Sequence, residues 1–191
     1  MVLNLRKITP AISLGLLDLA AFSKAEGLAA GRESERAGAR YVLGKLLNDE
    51  PFELAYSPTN KPYLKDRPEH ISISHSHDKL AVICNSAENT GIDIELVRDK
   101  VKNIRHKFLN DSESDLAGQD TGKLIMLWAA KETLYKVYGL KEVDFKKHLF
   151  VDAVDDDTLT GRICMAQVNK RYSLACESID NYKLVYVLHE I

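Results

Sequence analysis

The stretch Trp128-Ala-Ala-Lys-Glu-Thr-Leu-Tyr-Lys136 belongs to the clearest helix that the sequence predicts. On a helix, Trp128, Glu132 and Lys136 lie along one face at i, i+4 and i+8, with Lys131 beside them. A carboxylate between two lysines stays ionised, so Glu132 could bind a metal or accept a proton. The lysines could then meet phosphate charge. The simpler alternative is a surface Glu–Lys pair.

Outward from this stretch, the sequence predicts both helices and strands in each half of the chain, with a joint near residues 97–102. The central helix covers residues 124–138 and ends at Gly139. Residues 18–48 are predicted to be mostly helical, with interruptions at Gly27 and Gly31. Alternating or apolar runs predict a hairpin of residues 71–76 and 80–84 and further strands at 91–96, 161–168, 172–177 and 184–189.

Two carboxylates stand two positions apart in Gly91-Ile-Asp-Ile-Glu95. On a strand, Asp93 and Glu95 leave the same face about 6.5 Å apart along the chain. Carboxylates that close repel each other unless solvent or a cation screens them, and Mg²⁺ prefers such oxygen ligands. The alternative is a polar strand face in water.

Hydroxyl and imidazole groups end the first strand of the predicted hairpin. Ser74 and His75 could donate hydrogen bonds to phosphate oxygens. His75 and His77 also form a His-x-His pair, which is a possible half of a zinc site. An ordinary turn or strand role for these residues is the alternative.

Two further basic groups are candidates for phosphate binding. Lys61 lies in the turn-forming stretch Asn60-Lys-Pro-Tyr63, where the proline restricts the direction of the lysine. Arg40 ends a row with Arg32 and Arg36 at successive i,i+4 positions. Guanidinium groups favour phosphate. The simpler alternative for each of these residues is a solvated surface charge.

Composition excludes several classes of protein. The chain has 191 residues, of which 45% are hydrophobic and 28% charged, and its net charge is −2. These values are ordinary for a globular protein, and they provide no global basic excess for binding nucleic acid. Three cysteines without Cys-x-x-Cys spacing make a disulfide framework and a thiolate zinc site unexpected. We find no signal peptide and no membrane span, and we therefore expect a cytoplasmic protein.

Taken in order, four stretches resemble the 4′-phosphopantetheinyl transferase superfamily. They are Asn60-Lys-Pro-Tyr63, Ile71-Ser-Ile-Ser-His-Ser76, Gly91-Ile-Asp-Ile-Glu95 and Trp128-Ala-Ala-Lys-Glu-Thr-Leu-Tyr-Lys136. The chain looks like the larger, surfactin-synthetase-type branch. That resemblance implies an α+β fold of two similar subdomains, residues 1–98 and 99–191, related by a pseudo-twofold axis. It also implies an active site in the cleft between the subdomains.

The resemblance implies transfer of 4′-phosphopantetheine from coenzyme A to a serine of an apo acyl or peptidyl carrier protein, with release of adenosine 3′,5′-bisphosphate. By this resemblance, Asp93, Glu95 and Glu132 hold Mg²⁺, and Glu132 is also the base. Asp93, Glu132 and Lys136 are then the catalytic residues. The residues matched to coenzyme A contacts are Arg40, Lys61, Ser74, His75, Lys131 and Lys136. We expect a monomer, because a chain of two subdomains can complete its own site.

Some positions depart from the family pattern or match it weakly. Many members have glycine after the His-Ser pair, where this chain has His77. Residues 24–31 offer only Lys24 where many relatives carry basic residues, so this region departs from the family's pattern of adenosine contacts. Residues 108–113 resemble the family's aromatic-to-glutamate segment, so Glu113 is expected to assist at the metal or the base.

Two other functions remain open at this point. One is a non-catalytic module on the same scaffold that binds coenzyme A or a carrier protein. The other is a hydrolase that holds zinc through His75, His77 and Asp93.

Overall fold

Residues 3–155 and 157–191 are described by a computed structural model, in which they form a mixed α/β fold. Its elements fall into two units, Met1–Ile94 and Glu95–Ile191. In the part of the chain so described, no helix has both the length and the apolar character that crossing a bilayer requires.

The first unit is built on an antiparallel sheet of four strands. In spatial order these are β1 (Leu3–Lys7), β2 (Ile12–Asp18), β6 (Lys79–Asn85) and β5 (His70–Ser76). The unit also contains α1 (Leu19–Ala25), α2 (Arg32–Leu46) and a hairpin of β3 (Glu53–Tyr56) and β4 (Pro62–Lys65). The predicted hairpin of residues 71–84 is confirmed as β5 and β6.

Glycine and a capping carboxylate divide the predicted helix of residues 18–48 into α1 and α2. Asp18 caps α1 by accepting a hydrogen bond from the backbone N–H of Ala21 at 2.8 Å. Gly27 and Gly31 both have positive φ, 66° and 118°, so the chain turns between the helices. This interruption was predicted. The helix α2 then packs on β2 and β6 and buries its apolar face, including Val42 and Leu43.

The second unit packs one long helix on an antiparallel sheet. The chain forms α3 (Val101–Ile104), a 3₁₀ turn (Arg105–Lys107), α4 (Asp111–Ala117), α5 (Thr121–Tyr138), β8 (Leu149–Val154), β9 (Thr158–Met165), β10 (Val168–Ile179) and β11 (Tyr182–Glu190). The strand β7 (Ile92–Leu96) spans the division between the units, and the sheet order is β7-β11-β10-β9-β8.

The helix α5 is longer than predicted at its beginning. It starts at Thr121 because the Asp120 carboxylate accepts a hydrogen bond from the backbone N–H of Lys123 at 2.9 Å. Gly139 ends it with a left-handed φ of 70°, as predicted. The predicted strand of residues 161–168 is wrong at its end, because the chain turns at Ala166 and Gln167 between β9 and β10.

Candidate functional site

Two serines of β5 organise the buried part of β7 within the first unit. Ser74 Oγ donates a hydrogen bond to Asp93 Oδ1 at 2.7 Å and accepts one from the backbone N–H of Ile94 at 3.3 Å. Ser72 Oγ accepts from the backbone N–H of Ile92 at 3.2 Å. Asp93 is only 4% exposed, so the alternative of a solvated strand face is wrong for this residue. Sequence reasoning missed Ser72, although its i,i+2 spacing from Ser74 was the available signal.

His75 lies on the opposite side of β5 from Ser74, because successive side chains on a strand point to opposite faces. Its ring is exposed, and Nε2 lies 3.4 Å from the Glu35 carboxylate of α2. Arg40 is also exposed on α2, together with Arg32 and Arg36. The structure therefore brings Ser74 to Asp93 and His75 to Glu35. A zinc site of His75, His77 and Asp93 gains no support from this arrangement.

His77 occupies the two-residue turn between β5 and β6 with a φ of 53°. Glycine adopts this left-handed region without the steric penalty that a side chain brings. The backbone conformation thus explains in physical terms why glycine suits the position, and it shows that the chain keeps the turn despite the imidazole.

Lys61 lines a pocket of about 300 Å³ in the first unit, together with Ser57, Tyr63, Arg67 and Asn89. Its ammonium donates to Asn89 Oδ1 at 2.7 Å. Burial lowers the pKa of Lys61 to about 8, because a low-dielectric environment disfavours the charged form. A lysine of this kind can respond to an incoming anion, because the anion restores its charged form.

In the second unit, Trp128 holds the Glu95 side chain. The indole Nε1 donates to Glu95 Oε1 at 2.9 Å. Both side chains line a pocket of about 220 Å³ that also includes Arg98 and Lys100. Glu132 and Lys136 follow Trp128 on α5 at the predicted i+4 and i+8 positions, and both are half-buried.

A larger pocket of about 680 Å³ lies beside Trp128, and three of its lining residues, Phe108, Trp128 and Phe145, are aromatic. The Trp128 ring meets Phe108 edge-on at a centroid distance of 5.0 Å and stacks with Phe145 at 5.5 Å. Ile104 and Trp128 line both this pocket and the smaller one that contains Glu95. Trp128 therefore belongs both to the wall of the larger pocket and to the hydrogen bond that holds Glu95.

The position of Lys131 differs from the prediction. The sequence predicts that this lysine faces phosphate together with Lys136. Its side chain is fully buried, and its ammonium lies 2.6 Å from Glu113 Oε2. It also donates to the backbone carbonyls of Phe108 at 2.6 Å and Phe145 at 2.8 Å. Burial lowers the pKa of Lys131, and the Glu113 carboxylate opposes that shift. The surface-pair alternative is therefore wrong for Lys131.

The contacts of Glu113 also differ from the prediction, in which this residue assists at the metal or the base. The residue is 1% exposed. Its Oε1 accepts a hydrogen bond from the backbone N–H of Val151 at 2.9 Å. Its Oε2 accepts one from the backbone N–H of Asn110 at 2.9 Å, and Lys131 also bonds this oxygen. These contacts make Glu113 part of the internal structure of the second unit.

The Mg²⁺ ligands implied by the family resemblance are all carboxylates. Within residues 3–155 and 157–191, no three His, Cys, Asp or Glu side chains gather closely enough to hold a metal ion. Asp93, Glu95 and Glu132 nevertheless offer hard oxygen ligands, which fit Mg²⁺ better than a soft metal. Hydrogen bonds from Ser74 and Trp128 hold one oxygen each of Asp93 and Glu95, as the supporting contacts of ligating carboxylates do.

Residues 89–187, more than half of the chain, match the model of the 4′-phosphopantetheinyl transferase superfamily. The matched span includes Asp93, Glu95, Glu132 and Lys136, whereas the other expected coenzyme A contacts in the first unit precede it. A search among curated proteins finds no match. On the strength of the family match, the chain belongs to the 4′-phosphopantetheinyl transferase superfamily.

Proposed function

We propose that this protein transfers the 4′-phosphopantetheine group of coenzyme A to a serine of an apo acyl or peptidyl carrier protein, with Mg²⁺. The observation that carries the proposal is the family match over residues 89–187, which includes both the Gly91–Glu95 and the Trp128–Lys136 stretches. We assign the chain to the surfactin-synthetase-type branch with two similar subdomains. In support, each unit packs a long helix, α2 or α5, on an antiparallel sheet.

Asp93, Glu95 and Glu132 are the proposed Mg²⁺ ligands. When bound, the ion would neutralise charge on the pyrophosphate of coenzyme A. The chain contributes to this site by restraining its ligands. Ser74 donates to Asp93, and Trp128 donates to Glu95. Both bonds are to carboxylate oxygens, and they limit the rotamers that the two ligands can adopt.

The proposed chemistry is a phosphoryl transfer in which a hydroxyl displaces a phosphate. The serine oxygen of the carrier forms a bond to the phosphorus that bears the pantetheine arm, and the bond from that phosphorus to the adenosine bisphosphate oxygen breaks. A serine hydroxyl is a weak nucleophile, so Glu132 accepts its proton. Lys136 neutralises the charge that develops on the leaving phosphate.

Coenzyme A recognition is proposed to use the first unit. Lys61 and Arg40 would bind the adenosine end and its 3′-phosphate, and Ser74 and His75 would contact phosphate oxygens. The lowered pKa of Lys61 supports this proposal, because a bound anion would restore the charged form. Arg40 and His75 are exposed, so a phosphate can reach both from solvent. We further propose that the protein acts as a monomer in the cytoplasm. All three cysteines, Cys84, Cys164 and Cys176, are free thiols, as is usual in a reducing compartment.

Intact-mass spectrometry tests the proposal directly. The protein is mixed with coenzyme A, Mg²⁺ and a panel of apo carrier proteins, and a strong chelator is added to a parallel sample. We expect one carrier to gain the mass of one phosphopantetheine group, and we expect the chelator to prevent the gain. Loss of a general base costs about 10²- to 10⁴-fold in rate, so Glu132→Gln should be at least 10²-fold slower.

Asp115→Asn is the matched control, because Asp115 is an exposed acidic residue of α4 outside the proposed site. It should transfer at the wild-type rate. Full activity of Glu132→Gln would contradict the role of Glu132 as base and ligand. Binding of coenzyme A without mass gain on any carrier would favour the non-catalytic module instead.

A further inference from the structure

Lys131 and Glu113 form an ion pair in which both side chains are buried. The side chains are 0% and 1% exposed, and their charged atoms are 2.6 Å apart. Such a pair is stable only when additional hydrogen bonds satisfy its remaining donors and acceptors, because both charges have lost their water. Here two backbone carbonyls and two backbone amides supply those bonds.

The pair connects segments that are distant in sequence. Lys131 lies in α5 and bonds the carbonyl of Phe108, which precedes α4, and that of Phe145, which follows α5. Glu113 lies in α4 and bonds the amide of Val151 in β8. It also closes a capping box, because its carboxylate accepts from the Asn110 amide while Asn110 Oδ1 accepts from the Glu113 amide.

Both carbonyls that Lys131 bonds belong to aromatic residues in contact with Trp128. Phe108 and Phe145 flank the indole, and the indole in turn donates to Glu95. Lys131 is also the immediate neighbour of Glu132 on α5. The buried bonds of the pair therefore restrain both Trp128 and the turn of helix that carries Glu132.

We infer that Lys131 is a positioning residue, which acts together with Glu113 to hold Trp128 and Glu132 in place, and that it does not bind coenzyme A phosphate. The inference rests on the proposed transferase function. It assigns Lys131 a role different from that of Lys136, although both are lysines of the same helix. Lys136 is half-buried, whereas Lys131 exposes no surface from which it could reach a phosphate.

The experiment compares Lys131→Met, Glu113→Gln, the double variant Lys131→Met/Glu113→Leu and, as the matched lysine variant, Lys136→Met. It measures kcat in the transfer assay, the Kd of coenzyme A by calorimetry and the emission of Trp128. The chain has a single tryptophan, so the emission reports this site alone. The double variant removes both charges, which keeps a folded protein available if a single variant leaves an unpaired charge and fails to fold.

We expect Lys131→Met and Glu113→Gln to lower kcat by about 10- to 100-fold, as loss of supporting contacts does. Both should shift the emission of Trp128 and leave the Kd of coenzyme A within about twofold of wild type. Lys136→Met should lower kcat with the emission unchanged. The double variant should be less impaired than Lys131→Met, because it leaves no uncompensated buried carboxylate.

Three results would overturn the inference. The first is a Kd for coenzyme A that rises at least tenfold in Lys131→Met but not in Glu113→Gln, because a phosphate ligand behaves in that way. The second is an unchanged kcat and emission in Lys131→Met, and the third is a double variant whose kcat is as low as that of Lys131→Met or lower. Failure of the proposed function would be distinct, because the wild-type protein itself would then modify no carrier.

Discussion

Lys61 is predicted to make coenzyme A binding depend on pH. Its pKa of about 8 means that the free protein loses this positive charge as pH rises from 7 to 9. If Lys61 meets a phosphate of coenzyme A, the Kd should rise by up to about tenfold over that range, because binding must then include uptake of a proton. Calorimetry in two buffers of different ionisation enthalpy measures both the Kd and the proton uptake.

Lys61→Arg is the control for this prediction, because a guanidinium keeps its charge throughout that range. It should flatten the pH dependence, and an equally steep dependence in that variant would contradict the role of Lys61. The effect of Lys61 on protein stability has the opposite sign to its effect on coenzyme A binding, because stability increases with pH. The unfolded chain binds more protons than the folded chain between about pH 8 and the ordinary lysine pKa of 10.5, so this group makes the free energy of unfolding rise with pH there.

Individual residues differed in how far their roles could be predicted. The hydrogen bond of Ser74 to Asp93 could be predicted once β5 and β7 are known to be neighbours. Residue spacing alone does not show that these two strands lie side by side. For Lys131 the sequence showed a lysine next to Glu132, and helical periodicity could not show that this lysine is buried. Its partner Glu113 lies in another helix, so only packing could identify the pair.

At the scale of elements, the close contact of α2 with β2 predicts opposite effects for two glycines. A Cβ on Gly15 of β2 would collide with Val42 Cγ1 of α2, so Gly15→Ala should lower the free energy of unfolding by about 1–3 kcal/mol. A Cβ on Gly44 of α2 would lie 3.7 Å from Asp49 Oδ1, an ordinary contact. Gly44→Ala should therefore raise stability by about 0.5–1 kcal/mol, since alanine favours helices.

Urea denaturation of the two glycine variants measures both changes in one experiment. Destabilisation by Gly44→Ala, or none by Gly15→Ala, would contradict this description of how α2 packs.

The sequence predicted those elements that a strong hydrophobic period or a helix- or strand-breaking residue marked, as in the β5–β6 hairpin and α5. The short helices α3 and α4 were not predicted, because one or two turns carry too few residues to show a period.

At the scale of the whole molecule, coenzyme A with Mg²⁺ is predicted to stabilise the fold. Ligand at about 100 times its Kd adds about 2.7 kcal/mol to the free energy of unfolding. For a chain of this length, that corresponds to a rise in Tm of about 5–10 °C.

Thermal unfolding with and without a chelator measures the metal-dependent part of this rise. Asp93→Asn and Glu132→Gln should each lose that part, and Asp115→Asn should keep it. An equal rise in the presence of chelator would contradict the proposal that Mg²⁺ takes part in the binding of coenzyme A.

Each unit contains its own hydrophobic cluster, which includes Leu17 and Leu80 in the first unit and Leu127 and Leu134 in the second.

The sequence by itself determined the family, the paired carboxylates of Asp93 and Glu95, the hairpin of residues 71–84 and the helix that carries Glu132. These features depend on short-range periodicity and on the order of motifs, which the linear chain displays. Tertiary structure alone decided that Asp93 is buried against Ser74, that His75 faces Glu35, and that Lys131 is enclosed with Glu113. The physical reason is that burial and desolvation depend on partners distant in sequence, so adjacent residues such as the buried Lys131 and the half-buried Glu132 can have different environments.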